Sequence, residues 1–168
     1  MKGLIAVDVN KCLGCHSCEL GCAVEHSQSK HLFSAILEKP LPQNRVIVEH
    51  CDDTNIPLQC RHCEDPPCAK VCPTQAISKP EVGEAVLIED ELCIGCKVCI
   101  LVCPFGSISL SKDDKNIIKC DLCFERTSEG QVPACVSNCP TNALQFIPVE
   151  QFTKEKRREF MVDFLKSS

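Results

Sequence analysis

The chain has no tryptophan and no tyrosine, and its only aromatic residues of the large class are seven phenylalanines. Aromatic rings dominate many protein cores, so other material has to hold this one together. Hydrophobic residues make up 44% of the 168, but 17 of them are cysteine, which leaves a modest ordinary apolar core. No stretch approaches the roughly 20 apolar residues of a membrane helix. The start, "MKGLIAVDVNKC", lacks an apolar signal region and a small-residue cleavage site, so it does not read as a secretory leader. Basic residues are scattered apart from "KEKRR" near the C-terminus, and the formal charge is −5. A nucleic-acid partner would want a clustered basic face, so none is expected. The expectation is a cytoplasmic chain with no direct membrane span. In that setting so many cysteines point to metal ligation rather than to a disulfide framework. Ligation free energy then adds to folding free energy and compensates for the thin core.

Sixteen of the cysteines fall into four groups of four. "CLGCHSCELGC" holds Cys12, Cys15, Cys18 and Cys22. "CRHCEDPPCAKVCP" holds Cys60, Cys63, Cys68 and Cys72. "CIGCKVCILVCP" holds Cys93, Cys96, Cys99 and Cys103. "CDLCFERTSEGQVPACVSNCP" holds Cys120, Cys123, Cys135 and Cys139. Cys51 stands outside them, and a free thiol is expected there. The flanks repeat as well. "GLIAVDVNKC" and "AVLIEDELC" each read as a short strand entering the first cysteine, and three groups end in the similar tails "CPTQAI", "CPFGSI" and "CPTNAL". The repeated unit is strand, cysteine loop, helical turn with proline, and second strand.

Tetrahedral zinc sites are usually built from two separated Cys-x2-Cys pairs. In "CIGCKVCILVCP" the thiols are too evenly crowded for that. Three thiolates at every third residue wrap a larger object such as a [4Fe–4S] cubane, and in two-cluster ferredoxins the fourth cysteine ligates the other cluster. Pro104 ends the turn, since proline has no N–H to continue it. Gly14 and Gly95 precede the second cysteines of their loops, where left-handed backbone lets amides face cluster sulfurs. The fourth group alone would also suit a zinc ribbon, but its tail matches the others and it is assigned to iron–sulfur too. Spacing alone leaves open which groups pair.

"PLQCRHCEDPPCAKVCPTQAI" and "KCDLCFERTSEGQVPACVSNCPTNAL" resemble the iron–sulfur subunits of the dimethyl sulfoxide reductase and formate dehydrogenase type. That family also includes the small electron-transfer subunits of formate hydrogenlyase, hydrogen-dependent CO2 reductase and CO dehydrogenase–linked hydrogenases. The resemblance spans residues 3 to about 148. It implies an α+β fold of two nested bacterial-ferredoxin-like modules with insertions and a C-terminal helix. Module A would be residues 1–23 plus 116–148, module B residues 56–112, and the insertion 24–55, all within a polyferredoxin domain of residues 1–148. Four [4Fe–4S] clusters are implied. The first would take Cys12, Cys15, Cys18 and Cys139, and the second Cys22, Cys120, Cys123 and Cys135. The third would take Cys60, Cys63, Cys68 and Cys103, and the fourth Cys72, Cys93, Cys96 and Cys99. One departure is "CAVEH", which lacks a proline after Cys22. The membrane-bound relatives' C-terminal membrane helix has no counterpart here, so a membrane-anchored role is not expected.

With all ligand places taken by thiolates, no iron is left open for a substrate. No Gly-rich dinucleotide fingerprint appears. The expected role is therefore non-catalytic. The chain would relay electrons within an anaerobic redox complex, between subunits such as a formate or CO dehydrogenase and a hydrogenase. Other iron–sulfur subunits or copies of itself are further partners. Rival readings are a freestanding polyferredoxin carrier, a multimer-forming scaffold that also conducts, and a zinc-stabilised interaction module.

Four clusters would bring the total charge to about −13. Lys11, Arg61, Lys70, Lys97 and Lys119 lie near cysteines and are candidates to offset it. His16 and His62 sit inside loops that already have full cysteine sets, so loop packing or exposure is expected of them. "NRVIVEHC" alternates as a strand and "EKPLPQN" reads as a turn. Residues 149–168 read as an amphipathic helix, with Phe152, Phe160, Met161, Phe164 and Leu165 on or near one face. It would serve to pack on the core or to dock a partner.

Overall fold

The computed structural model describes residues 3–81 and 84–167. It is a mixture of short helices and small antiparallel sheets, as the α+β expectation requires. The strands are β1 (Leu4–Val7), β2 (Val46–Cys51), β3 (Thr54–Gln59), β4 (Ile77–Ser78), β5 (Leu87–Ile88), β6 (Ile108–Leu110), β7 (Ile117–Lys119) and β8 (Leu144–Ile147). The helices are α1 (Ser17–Glu25), α2 (Leu32–Ala35), α3 (Pro67–Lys70), α4 (Val98–Val102), α5 (Phe124–Ser128), α6 (Ala134–Ser137) and α7 (Val149–Ser167). Single 3₁₀ turns, Val9–Lys11 and Asp90–Leu92, lead into Cys12 and Cys93.

The strands form four two-stranded antiparallel sheets: β1 with β8, β2 with β3, β4 with β5, and β6 with β7. The first of these joins the strand before the first cysteine group to the strand after the fourth. Leu4 faces Ile147, and Val7 faces Leu144. The β4–β5 pair lies between the second and third groups and is closed by Ile77 opposite Ile88.

The core is divided in two. One part gathers Ile5, Cys18, Cys22, Val46, Cys135 and Leu144, with Val7, Val48, Leu122 and Cys139 packed around them. The other gathers Cys68, Ile77, Val86, Cys99, Ile108 and Ile117, bordered by Cys72, Cys93 and Cys103. Cysteines of the first and fourth groups thus share one core, and those of the second and third share the other. The helices follow the same division, α1 packing on α6 and α3 on α4. In α1 the spacing of Cys18 and Cys22 places both on one face, and both are buried.

The residues between the first two groups do more than cover this core. Val46, at the start of the β2–β3 hairpin, is 1% exposed in its centre. Glu19 of α1 accepts the Val48 N–H at 2.6 Å, which fixes the hairpin to the helix. The tail forms α7, yet among its described side chains only Phe152 is half-buried, and Phe160 and Leu165 are 69% and 73% exposed. Packing onto the core, one of its two expected roles, is therefore confined to the first turns of the helix. Among the described residues no helix is long and apolar enough to cross a membrane.

Candidate iron–sulfur sites

All four cysteine loops share one backbone device. The residue two places after the first cysteine is left-handed in each: Gly14 at φ 66°, His62 at 47°, Gly95 at 63° and Leu122 at 58°. A side chain on Gly95 would collide with the backbone oxygen of Lys115, so glycine is required there for space as well as for φ. Left-handed turns of this kind point successive N–H groups inward as an anion-binding nest. Two of those amides, and one from the segment before β2, already meet sulfur. His62 N–H donates to Cys60 Sγ (3.4 Å), Leu122 N–H to Cys120 Sγ (3.4 Å), and Arg45 N–H to Cys22 Sγ (3.2 Å).

The tails contribute a second device. After Cys72 and Cys139 comes Pro-Thr, and the threonine hydroxyls lie 3.7 and 3.8 Å from the respective sulfurs. Slight burial opposes ionisation of both thiols. Bonds from the Ile77 and Leu144 amides, together with those hydroxyls, outweigh it and hold both below the usual thiol range. The sequence repeat "CPT" thus carries a thiolate-stabilising hydroxyl, a role its pattern alone did not reveal.

Deeper thiols behave oppositely. Burial pushes Cys18 up to about 11. It does the same to Cys99, again to about 11, with the neighbouring Cys96 and Cys68 adding to the shift. Cys123 rises to about 12 through burial and the proximity of Cys22. Cys120 and Cys135 are driven higher still by burial, and for both Cys22 is a contributing neighbour.

These interactions record which thiols the fold brings together. Cys12 lies near Cys18, and Cys139 near Cys15. Cys22 lies near Cys120, Cys123 and Cys135. Cys60 and Cys103 lie near Cys68. A small cavity is lined by Cys60, Cys63, Cys68 and Cys103 together with Val86, Pro104 and Ile108. Cys72 and Cys93 border the same core as Cys99. Cys51 is exposed at the end of β2, opposite Thr54 of β3.

The spacing of the sulfurs tests what they can hold. Four thiolates around one zinc at about 2.3 Å would lie about 3.8 Å apart. Among the described residues, no three cysteine sulfurs come within 4.8 Å of one another. All seventeen cysteines are free thiols. The donor set is therefore all sulfur, amide-lined and too wide for a single ion, and it fits a polynuclear iron–sulfur group. Among the described residues, the one trio of metal-ligating atoms that is close enough, His26, Asp121 and Cys123, is occupied otherwise. Asp121 accepts from Arg45 at 2.6 Å and pairs with His26 at 3.1 Å. Burial works against both charges. Their mutual bond outweighs it, with Arg45 also assisting Asp121, leaving the carboxyl well below the carboxylate range and His26 up at about 9.

His62 is held inside its loop, as expected. Its Nδ1 accepts from Val86 N–H at 2.9 Å, which leaves the proton on Nε2. Burial, with Lys119 and Lys79 adding to it, drives its pKa down to about 3. Of the five basic candidates, Lys11 and Lys70 are exposed and paired with Asp8 and Asp65. Arg61 and Lys97 are exposed, and Lys119 alone of the five is buried. The Arg45–Asp121–His26 network had no signal in the sequence, because its members come from three separate segments.

Four thiol-lined loops of this build, in a fold of short helices and paired strands, define an iron–sulfur protein of the ferredoxin kind. Residues 51–148 match the family model described as 4Fe-4S dicluster domain, and the protein belongs to that family. YsaA of Escherichia coli (strain K12) is 42% identical over 161 residues, 95% of this chain and 98% of its own. The electron transport protein HydN of the same organism is 37% identical, covering 98% of this chain and all of its own. The B subunit of anaerobic dimethyl sulfoxide reductase, also from Escherichia coli (strain K12), is 35% identical over 89% of this chain and 75% of its own.

Proposed function

We propose that this chain relays single electrons through four [4Fe–4S] clusters, as a non-catalytic subunit between the catalytic subunits of an anaerobic redox complex. The ligand sets are Cys12, Cys15, Cys18 and Cys139; Cys22, Cys120, Cys123 and Cys135; Cys60, Cys63, Cys68 and Cys103; and Cys72, Cys93, Cys96 and Cys99. Two nested modules carry them, residues 1–23 with 116–148 and residues 56–112. The observation that carries this reading is the cavity lined by Cys60, Cys63 and Cys68 of one group and Cys103 of the next. The division of the two cores and the β1–β8 pairing support the nested order.

When bound, such a group supplies a one-electron couple. The chain's own residues do the rest. Left-handed loop turns aim amides at the sulfurs, Thr74 and Thr141 donate to Cys72 and Cys139, and the apolar halves of the two cores exclude water. Burial of Cys18, Cys68, Cys99 and Cys135 in those cores favours low reorganisation. Every ligand place is a thiol, so the sites conduct rather than bind substrate.

Electron transport protein HydN and the B subunit of dimethyl sulfoxide reductase are relatives with matching roles in their names. The partners proposed here are a formate or CO dehydrogenase, a hydrogenase, or the corresponding parts of a hydrogen-dependent CO2 reductase. Exposed Phe33, Leu37, Phe160 and Leu165 favour a docked subunit over a freely diffusing carrier. The test is anaerobic reductive titration of the purified chain followed by mixing with an oxidised acceptor. About four electrons taken up and passed on per chain, with no turnover of formate, CO or hydrogen, is expected. Turnover of any of these by the protein alone would defeat the reading.

A further inference from the structure

Lys119 ends β7 directly before Cys120, and only 3% of it is exposed. Its ammonium donates to the carbonyl oxygen of Cys120 at 2.7 Å and also to that of Val86. Cys120 belongs to the fourth cysteine group, while Val86 lies in the core built around the second and third. Strand pairing fixes the residue there, since Lys119 stands opposite Ile108 in the β6–β7 pair. The nitrogen therefore sits where the two halves of the molecule meet.

No carboxylate among the described residues pairs with it. The other strongly buried lysine side chain, Lys79, has Glu64 at 2.5 Å. Two carbonyls satisfy two of the three ammonium donors, and they leave the charge itself unanswered. A buried ammonium with no counter-anion is costly. Thiols that would become anionic only as cluster ligands lie on both sides. Burial pushes the Cys68 and Cys120 thiols up, and in each case the Lys119 charge pulls the other way. Cys68 belongs to the third proposed ligand set and Cys120 to the second.

We infer that Lys119 is a shared counter-charge between the second and third cluster sites, placed to raise the reduction potential of both. The inference rests on the four-cluster reading above. Reduction adds one negative charge to a site, and a fixed cation in low dielectric stabilises that state more than the oxidised one. One ammonium facing two sites lifts both and keeps the step between the two modules from becoming an uphill gap. Lys11, Arg61, Lys70 and Lys97 are exposed, so solvent and salt screen them. Lys119 is a positioning and tuning residue here, with no contact to a reacting substrate.

The test is a redox titration of the anaerobically purified protein, followed by electron paramagnetic resonance, with iron counted in each variant. Lys119→Gln keeps hydrogen-bond donors for the Val86 and Cys120 carbonyls and removes the charge. It is expected to lower the potentials of two of the four clusters and leave the other two in place. Lys119→Arg restores the charge and is expected to return both potentials towards the wild-type values. Cluster loss from Lys119→Gln that Lys119→Arg repairs would equally mark the charge as the active feature. Unchanged potentials in Lys119→Gln, a uniform shift of all four, or cluster loss from both variants would overturn the inference. An iron count below the four-cluster value in the wild type would instead defeat the cluster reading, so the two failures are separable.

Discussion

Val7 stands opposite Leu144 across the antiparallel pair of β1 and β8. That pairing closes the first cysteine group onto the fourth and leaves the second and third to share the other core. Leu144 is 1% exposed in the centre of the first core. Leu144→Ala should cost about 2–5 kcal/mol. The nested account adds a selective effect: clusters should be lost from the half that holds Cys18 and Cys135, while those near Cys68 and Cys99 persist. Iron analysis of the purified variant should fall towards about half of the wild-type content. Equal loss from both halves would speak for pairing of neighbouring groups.

The crossed ligand sets make a sharper prediction. Cys103 lies in the third motif, yet it shares a cavity with Cys60, Cys63 and Cys68 of the second. Cys103→Ser and Cys60→Ser should therefore alter the same component of a redox titration, and the double variant should add little. Cys96→Ser should alter a different component. If Cys103→Ser matched Cys96→Ser instead, the crossing would be refuted.

The three tails carry a further backbone regularity. Gln75, Gly106 and Asn142, each three residues after its cysteine, are left-handed at φ 57°, 58° and 54°. A non-glycine residue in that region costs roughly 1–2 kcal/mol. Gln75 is exposed, so nothing else depends on its side chain. Gln75→Gly should raise stability by about 1 kcal/mol, and Gln75→Val should lower it by at least as much. Anaerobic denaturant unfolding of the loaded protein measures both.

Loading should depend on pH with a definite sign. Burial holds Cys18 and Cys99 up at about 11, and Cys123 up at about 12. In the metal-free chain these thiols stay protonated near neutral pH, whereas the ligand is the thiolate. Loading must then release protons, so it is favoured as pH rises. Anaerobic reconstitution of the metal-free chain should be faster at pH 8.5 than at pH 6.5, by up to roughly tenfold per pH unit. A rate that is flat or falls with pH would contradict the assignment of those buried thiols as ligands.

Much of this was readable in the residues, for reasons that also explain what was not. Cysteine spacing and the glycines at 14 and 95 are local chemistry, and local chemistry shows in sequence. The same left-handed turn at His62 and Leu122 was hidden, because neither residue advertises positive φ. Strand β3, "TNIPLQ", was missed because Pro57 argues against a ladder position. The structure accommodates it in a two-stranded pair where Val48, opposite Pro57, gives its N–H to Glu19. Lys119 could not be told from four other basic residues near cysteines, since only tertiary packing buries it. The helix from Val149 to Ser167 buries Phe152 in part and leaves Phe160, Met161, Phe164 and Leu165 exposed, so of its two expected roles core packing is confined to the first turns, which periodicity alone could not decide.

The central claim is that sixteen thiols hold four cubanes, and counting the inorganic contents of the anaerobically purified chain tests it most directly. The account predicts about sixteen irons and about sixteen acid-labile sulfides per chain, with negligible zinc. About eight of each, or one zinc for each cysteine group in a colourless protein, would contradict it.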